Sequence, residues 1–311
     1  MRLATIATEA GPRPAAVVGE RVLDIAADWH ADSPPPHSVL DVIARGQPAL
    51  ALLQQQIERA DAGAWQPLDN VRLLAPIPRP AKNVVCVGRN YKLHVEEGAR
   101  ARGVPVDYPK VPEFFTKPPT AVIGTGADIE LPGITAKLDY EVELAFVVGR
   151  TARNIRAEDA LDHIFGVTVL NDVTARDLQR SHGQWFKGKG LDTSCPIGPW
   201  IVTTDEFDLR AGHRLWLTVN GELRQDSVTS DMIFDCARIL ESLSAGMTVE
   251  AGDIITTGTP SGVGLGLDPQ IWLKDGDVIE AGIDGIGHIT NRVRAVWGAS
   301  AARLPATAQE T

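Results

Sequence analysis

The sequence predicts a β-rich α+β protein whose main sheet is curled or sandwiched. Three observations carry that expectation. Short apolar runs with strand period far outnumber the helical ones, which argues against a doubly wound sheet. Asn220-Gly221 and Asp284-Gly285 stand between such runs as hairpin turn signals. No internal repeat of about 20–50 residues points to a solenoid or propeller.

Taken in order, residues 1–75 read as a small N-terminal α+β domain. Strands are expected at 3–8, 15–18 and 22–25, with Gly19 in a turn. Helices are expected at 38–44 and 49–60, with Ser38 as N-cap and Gly46 as a stop. Ala75-Pro-Ile-Pro-Arg-Pro80 cannot continue a helix or a central strand, so 76–81 is expected to link to a main domain over 82–297. That domain opens with a buried strand at 83–88 and a short helix at 89–98 ended by Gly98. Residues 99–112, rich in charge and proline, read as a mobile loop. Further strands are expected at 114–116, 121–123, 140–148, 164–171, 200–203, 215–219, 254–257, 278–283 and 287–296. A short helix begins at 157 and an amphipathic one covers 232–243. Residues 298–311 lack periodicity and are expected to form a disordered tail.

Composition narrows the function. The 311 residues are 44% hydrophobic and 23% charged, as in an ordinary globular protein with a large core. A net charge of -10 argues against a nucleic-acid or anionic-membrane partner. No apolar run reaches the roughly 20 residues of a membrane span, and no signal peptide is evident. The three cysteines have no C-x-x-C spacing, which fits a reducing cytoplasm and no zinc site.

The chemistry gathers around Asp139-Tyr-Glu-Val-Glu-Leu-Ala-Phe-Val-Val148. Read as a strand, it puts Glu141, Glu143, Ala145 and Val147 on one face and Val142, Leu144, Phe146 and Val148 on the other. Two carboxylates side by side repel, and burial costs more still, so either a cation holds them or they form the solvated face of an edge strand. Asp172, at the end of the apolar run 164–171, is either a third ligand or a turn residue. Such a carboxylate set suits magnesium, manganese or calcium. His94 and Glu97 share a helix face, as a base dyad or as a solvent-facing pair. Lys189, flanked by glycines, either reaches the acids or is solvated. Thr257-Gly-Thr-Pro-Ser-Gly-Val-Gly264 lacks the Gly-Lys-Ser/Thr ending of a phosphate loop, and no Gly-x-Ser-x-Gly elbow occurs. Cys195 and His182 have no partner by spacing.

In order along residues 82–296, these stretches resemble the fumarylacetoacetate hydrolase family, nearest to its small prokaryotic-type and acylpyruvase-like members. They are Val87-Gly-Arg-Asn-Tyr91 with His94 and Glu97, Phe115-Thr-Lys-Pro118, Asp139-Tyr-Glu-Val-Glu143, Asn171-Asp-Val-Thr-Ala-Arg-Asp177, Lys189 with Thr193-Ser-Cys-Pro196, Val219-Asn-Gly-Glu222, Thr257 to Gly264, and Leu273-Lys-Asp-Gly-Asp277. The resemblance implies a mixed β-sandwich roll and a homodimer. It implies Mg²⁺ or Mn²⁺ (with Ca²⁺ as a crystal substitute) on Glu141, Glu143 and Asp172. It places His94 and Glu97 as the base dyad on a segment that orders over the substrate, and Lys189 beside the metal. Arg89, Arg176, Gln179 and Thr259 match substrate-contacting positions. The leading expectation is hydrolysis of a carbon–carbon bond in an acylpyruvate or other 2,4-dioxo acid by water that His94 activates. The alternative is an oxaloacetate-type decarboxylase or a hydroxymuconate-type isomerase on the same site. A non-catalytic binding protein is a third class, disfavoured by the complete residue set.

Overall fold

A computed structural model describes residues 1–27, 29 and 33–296. The expected tail at 298–311 lies outside them. Two sheets face each other. The larger has twelve strands, and its centre runs Cys195–Thr203, Ile164–Asn171, Val142–Val148, Ile254–Thr256, Val84–Gly88, Glu113–Lys117. The smaller has five, in the order Glu222–Val228, Arg214–Val219, Val278–Ile283, Gly287–Val296, Asp128–Pro132. Val142, Leu144, Phe146, Val167 and Val169 pack between the sheets against Leu215, Leu217, Ile279 and Ile289. Ala145 and Val147 point the other way, into a core with Val39, Val42, Ile43 and Leu53 of the N-terminal helices. This is the expected sandwich, with helices covering the outer face of the larger sheet. Among the described residues no helix is long and apolar enough to cross a membrane.

The two-sided burial decides one question. Val142–Val148 is paired on both flanks, by Ile164–Asn171 and by Ile254–Thr256, and all seven of its residues are buried. A solvated edge is therefore excluded. The Asn220-Gly221 signal also reads directly in the backbone. Val219 pairs with Glu222, and the two turn residues have φ of 53 and 79, as a type I′ hairpin requires.

The N-terminal strands Arg2–Thr8, Gly11–Val18 and Arg21–Asp24 extend the larger sheet, because Arg2 and Leu3 pair with Val202 and Ile201. Ser38 caps the helix Val39–Arg45 by accepting the Asp41 N–H, and Gly46 ends it. One helix end differs from expectation. Gly98 does not stop the helix, which runs Lys92–Arg102. Gly103, at φ 64, takes the left-handed C-cap, and its N–H donates to the carbonyl of Arg100 while the Val104 N–H donates to Ala99. Glycine stops a helix only where the chain uses its positive φ, and Gly98 has none. Residues 99–102, expected as loop, are helical.

Gln225 ties the sheets at the site. Fully buried, it accepts the Val142 N–H (2.9 Å) and donates to Thr259 Oγ1 (2.8 Å) and the Pro260 carbonyl (2.9 Å). Gln225→Leu strands those groups without partners. Denaturant unfolding should show a loss on the order of 2–3 kcal/mol. An unchanged midpoint would deny Gln225 this role.

Candidate metal centre and active site

Alternation along the central strand sends Glu141 and Glu143 to one side. Asp172 joins them because Asn171 pairs with Val142, and the Asp172 N–H donates to the Glu141 carbonyl (2.8 Å). The three acids are buried, with carboxylate oxygens within 4.8 Å of one another. Isolated buried charges at this density are costly, and cations answer them. Lys189 Nζ donates to Glu141 Oε2 and to Asp172 Oδ2, each at 2.6 Å. Arg176 Nη2 donates to Glu141 Oε1 (2.5 Å) and its Nε to Asp139 Oδ2 (2.8 Å). Lys117 Nζ donates to Asp172 Oδ1 (2.7 Å), to the Val173 carbonyl (3.0 Å) and to the Lys189 carbonyl.

The cations split the acids electrostatically. Burial pushes the Glu141 carboxyl up, but Arg176 and Lys189 outweigh it and hold Glu141 well below the usual carboxylate range. Glu143 has no such partner, only the Gly258 N–H at 3.0 Å. Burial, then the charges of Asp172 and Glu141, push its carboxyl well up. Burial opposes the charge on Lys189, yet Asp172 and Glu141 raise its pKa above the ordinary value. Glu143 thus tests the fit of a metal: among the described residues no lysine or arginine donates to it, and the charge of Lys189 offsets its burial only in part. An all-oxygen donor set suits Mg²⁺ or Mn²⁺. Cys195, nearby, offers no thiolate, because burial pushes it up to about 12. Glu141, Glu143 and Asp172 are the residues that would hold the ion.

The dyad sits on the helix Lys92–Arg102. His94 Nδ1 lies 3.0 Å from Glu97 Oε1, and Glu97 Oε2 accepts the Gly262 N–H at 2.9 Å. A carboxylate only accepts, so Nδ1 carries the proton and Nε2 keeps its lone pair. The glycine-rich loop serves this contact rather than a phosphate. A Cβ on Gly266 would stand 2.4 Å from Glu97 Oε2, and one on Gly264 2.8 Å from Asp139 Oδ1. Asp139 accepts the Gly264 and Leu265 N–H groups at 2.7 and 3.1 Å.

His94, Glu141, Glu143, Lys189 and Thr259 all line one cleft of about 490 Å³, as do Arg89, Arg176 and Gln179; Glu97 and Asp172 stand behind it. Gln179 Oε1 lies 3.3 Å from Arg176 Nη1. Arg89, at φ 57, pairs with Glu113 at 3.0 Å. Phe115 and Trp185 form an apolar wall, edge to face at 5.5 Å, and Trp185 lies so close over Gly88 that a Cβ there would meet its ring at 2.3 Å. Reading the sequence residue by residue gave no role to Lys117 or Asp139. The signal for Lys117 was a lysine inside an apolar strand, at Phe115-Thr-Lys-Pro118.

A two-sheet sandwich thus brings a buried acid triad able to hold a divalent ion together with a lysine and a His–Glu pair at one cleft. The family model Fumarylacetoacetate (FAA) hydrolase C-terminal matches residues 83–294, and the chain belongs to the fumarylacetoacetate hydrolase family. It is 46% identical over 266 residues to the oxaloacetate tautomerase YisK of Bacillus subtilis (strain 168), covering 83% of this chain and 87% of that one. Among solved structures, a fumarylacetoacetate hydrolase from psychrophilic Exiguobacterium antarcticum aligns with a TM-score of 0.79 and 42% identity, over 95% of this chain and 100% of the other. A 2-hydroxyhepta-2,4-diene-1,7-dioate isomerase from Mycobacterium marinum aligns with a TM-score of 0.71 and 38% identity, over 95% and 98%. The family thus stands as expected, and its members near this chain include tautomerases and isomerases as well as hydrolases.

Two measurements probe the centre. A metal takes the carboxylate form of Glu143, whose carboxyl burial and the neighbouring acids push up, so Mn²⁺ affinity should rise with pH, and calorimetry across buffers of different ionisation enthalpy should detect proton release. Glu143→Gln should abolish that release; a pH-independent affinity would contradict it. Lys117→Met leaves Asp172 with one fewer counter-charge in a buried site, a loss of roughly 3–5 kcal/mol. Saturating Mn²⁺ should raise the Tm of this variant more than that of the wild type, and equal shifts would exclude the charge argument.

Proposed function

We propose that the chain is a divalent-metal-dependent tautomerase or isomerase of a short 2-oxo acid of the oxaloacetate type, interconverting its enol and keto forms. The observation that carries this reading is the dyad. Glu97 is gripped by Gly262 and orients His94, which lines the same cleft as Glu141 and Glu143. A base so placed fits proton transfer at C3 of a 2-oxo acid. Kinship with an oxaloacetate tautomerase, over most of both chains, supports the same reading.

A divalent cation on Glu141, Glu143 and Asp172 would supply Lewis-acid polarisation of the 2-oxo carboxylate. The remaining work falls to the chain. Lys189 and Arg176 keep positive charge beside the oxygen end of the substrate as negative charge develops there. In the keto-to-enol direction the His94 Nε2 lone pair takes a proton from C3 while the 2-oxo oxygen gains one from solvent. In the reverse direction the imidazolium returns its Nε2 proton to C3 while the 2-hydroxyl proton leaves to solvent, so the net change moves one proton between oxygen and carbon. The C=C and C=O π bonds exchange, and no σ bond to carbon other than C–H is made or broken. Phe115 and Trp185 exclude water from one wall of the cleft.

Hydrolysis is the second reading, favoured by the likeness to a fumarylacetoacetate hydrolase structure. It uses the same dyad to activate water and must release two products. The two are separated by following enol absorbance with Mg²⁺ or Mn²⁺ present. Tautomerisation should consume enol oxaloacetate and leave oxaloacetate recoverable by malate dehydrogenase, with no pyruvate and no CO₂. Pyruvate released from acylpyruvates, with no effect on enol oxaloacetate, would reject the proposal for the hydrolase. His94→Asn should lower kcat by about 10²- to 10⁴-fold and change KM little.

A further inference from the structure

Among the cleft cations that the chemistry above does not use, Arg102 stands on the same helix as His94. Arg102 ends the dyad helix and lines the cleft. Among the described residues no carboxylate or carbonyl pairs with its guanidinium, whereas Arg89 has Glu113 and Arg176 has Asp139 and Glu141. A basic side chain in a last helical turn ordinarily answers the helix dipole. Arg100, also in the last turn, donates to the Gly266 carbonyl across the loop at 3.4 Å. Arg102 turns back instead. Its Nη2 lies 3.7 Å from where a Cβ on Gly98 would stand, one turn toward His94. Arg89 and Arg176 line the same cleft, and Arg102 reaches it from an exposed position at the rim; burial and those like charges push its pKa down, against Glu113.

His94, Gly98 and Arg102 follow at four-residue steps on one helix face. Four residues rise about 6 Å. With His94 over the reacting carbon, the Arg102 guanidinium therefore reaches about one turn beyond it. In a four-carbon 2-oxo dicarboxylate the second carboxylate is bonded to that carbon. A guanidinium nitrogen hydrogen-bonded to its oxygens stands about 5 Å from the carbon. The two spans agree. We infer that Arg102 receives the second carboxylate of the substrate and sets a preference for 2-oxo dicarboxylates over 2-oxo monocarboxylates. The inference rests on the proposed reading of the site for 2-oxo acids, and it names a specificity residue within it. Arg180 also lines the cleft, from the separate helix Arg176–Ser181, and is the control cation.

The test compares oxaloacetate with 2-oxobutyrate, which has the same four carbons and a methyl group for the second carboxylate. Binding to the Mn²⁺-loaded protein is measured by calorimetry, and tautomerisation of both enols in parallel. Arg102→Gln should weaken oxaloacetate binding roughly 10- to 100-fold and leave 2-oxobutyrate little changed. The loss should appear in KM rather than kcat. Arg102→Lys should restore part of it, and Arg180→Gln should keep the wild-type ratio. Equal losses for both acids, an unchanged ratio, loss of the ratio in Arg180→Gln alone, or a wild type with no preference would each overturn the inference. A wild type that binds oxaloacetate in preference but does not tautomerise it would sink the proposed function and leave the role of Arg102 standing.

Discussion

Three carboxylates packed within 4.8 Å in a dry interior are the constraint on which the rest of the site depends. Left alone they would repel and unfold the strands that carry them. The chain answers with Lys117, Lys189 and Arg176, each buried and each bonded to at least one of the acids. The answer is uneven. Glu141 and Asp172 each accept from these cations and Glu143 does not, so burial and the charges of Asp172 and Glu141 push its carboxyl well up. That imbalance leaves the centre suited to a divalent ion rather than to a further lysine.

The scaffold explains why so many charges can sit together. The acids stand on a central strand and at the end of its neighbour, where two ladders fix the backbone. Lys117 reaches them from the end of the strand Glu113–Lys117, and Lys189 from the short helix Phe186–Lys189. Their positions follow from sheet order rather than from local flexibility. The dyad is different. It rides on a helix held against the glycine-rich loop by Glu97 and Arg100.

Much of this was legible in the sequence. The alternation at 139–148 named two acids and the face they share, and the Asn-Gly turn named a hairpin; the i, i+3 spacing put His94 and Glu97 on one helix face, and only the family resemblance made them a dyad. What pattern alone left open was pairing. Nothing in 139–148 distinguishes a central strand from an edge, and that distinction turned a choice between a solvated face and a buried centre into a single answer. The end of the dyad helix was misplaced for a related reason. Gly98 and Gly103 look alike in sequence, and only the backbone shows which one adopts positive φ. Lys117 was overlooked because a lysine is ordinarily a surface residue, and its three acceptors come from Asp172, Val173 and Lys189, 55 or more positions away. The acids and the dyad do not by themselves choose between moving a proton and breaking a carbon–carbon bond, since one constellation serves both.

Glu97 has one consequence of its own. Its two oxygens belong to different elements, one serving the imidazole on its own helix and the other the backbone of Gly262. Helix placement and base alignment are therefore a single variable. A molecule whose helix has swung away from the loop has also released the group that fixes its imidazole tautomer. Such an interlock ties the orientation of the imidazole to enclosure: the ring is held in one setting only while its helix stays seated on the loop at the side of the cleft.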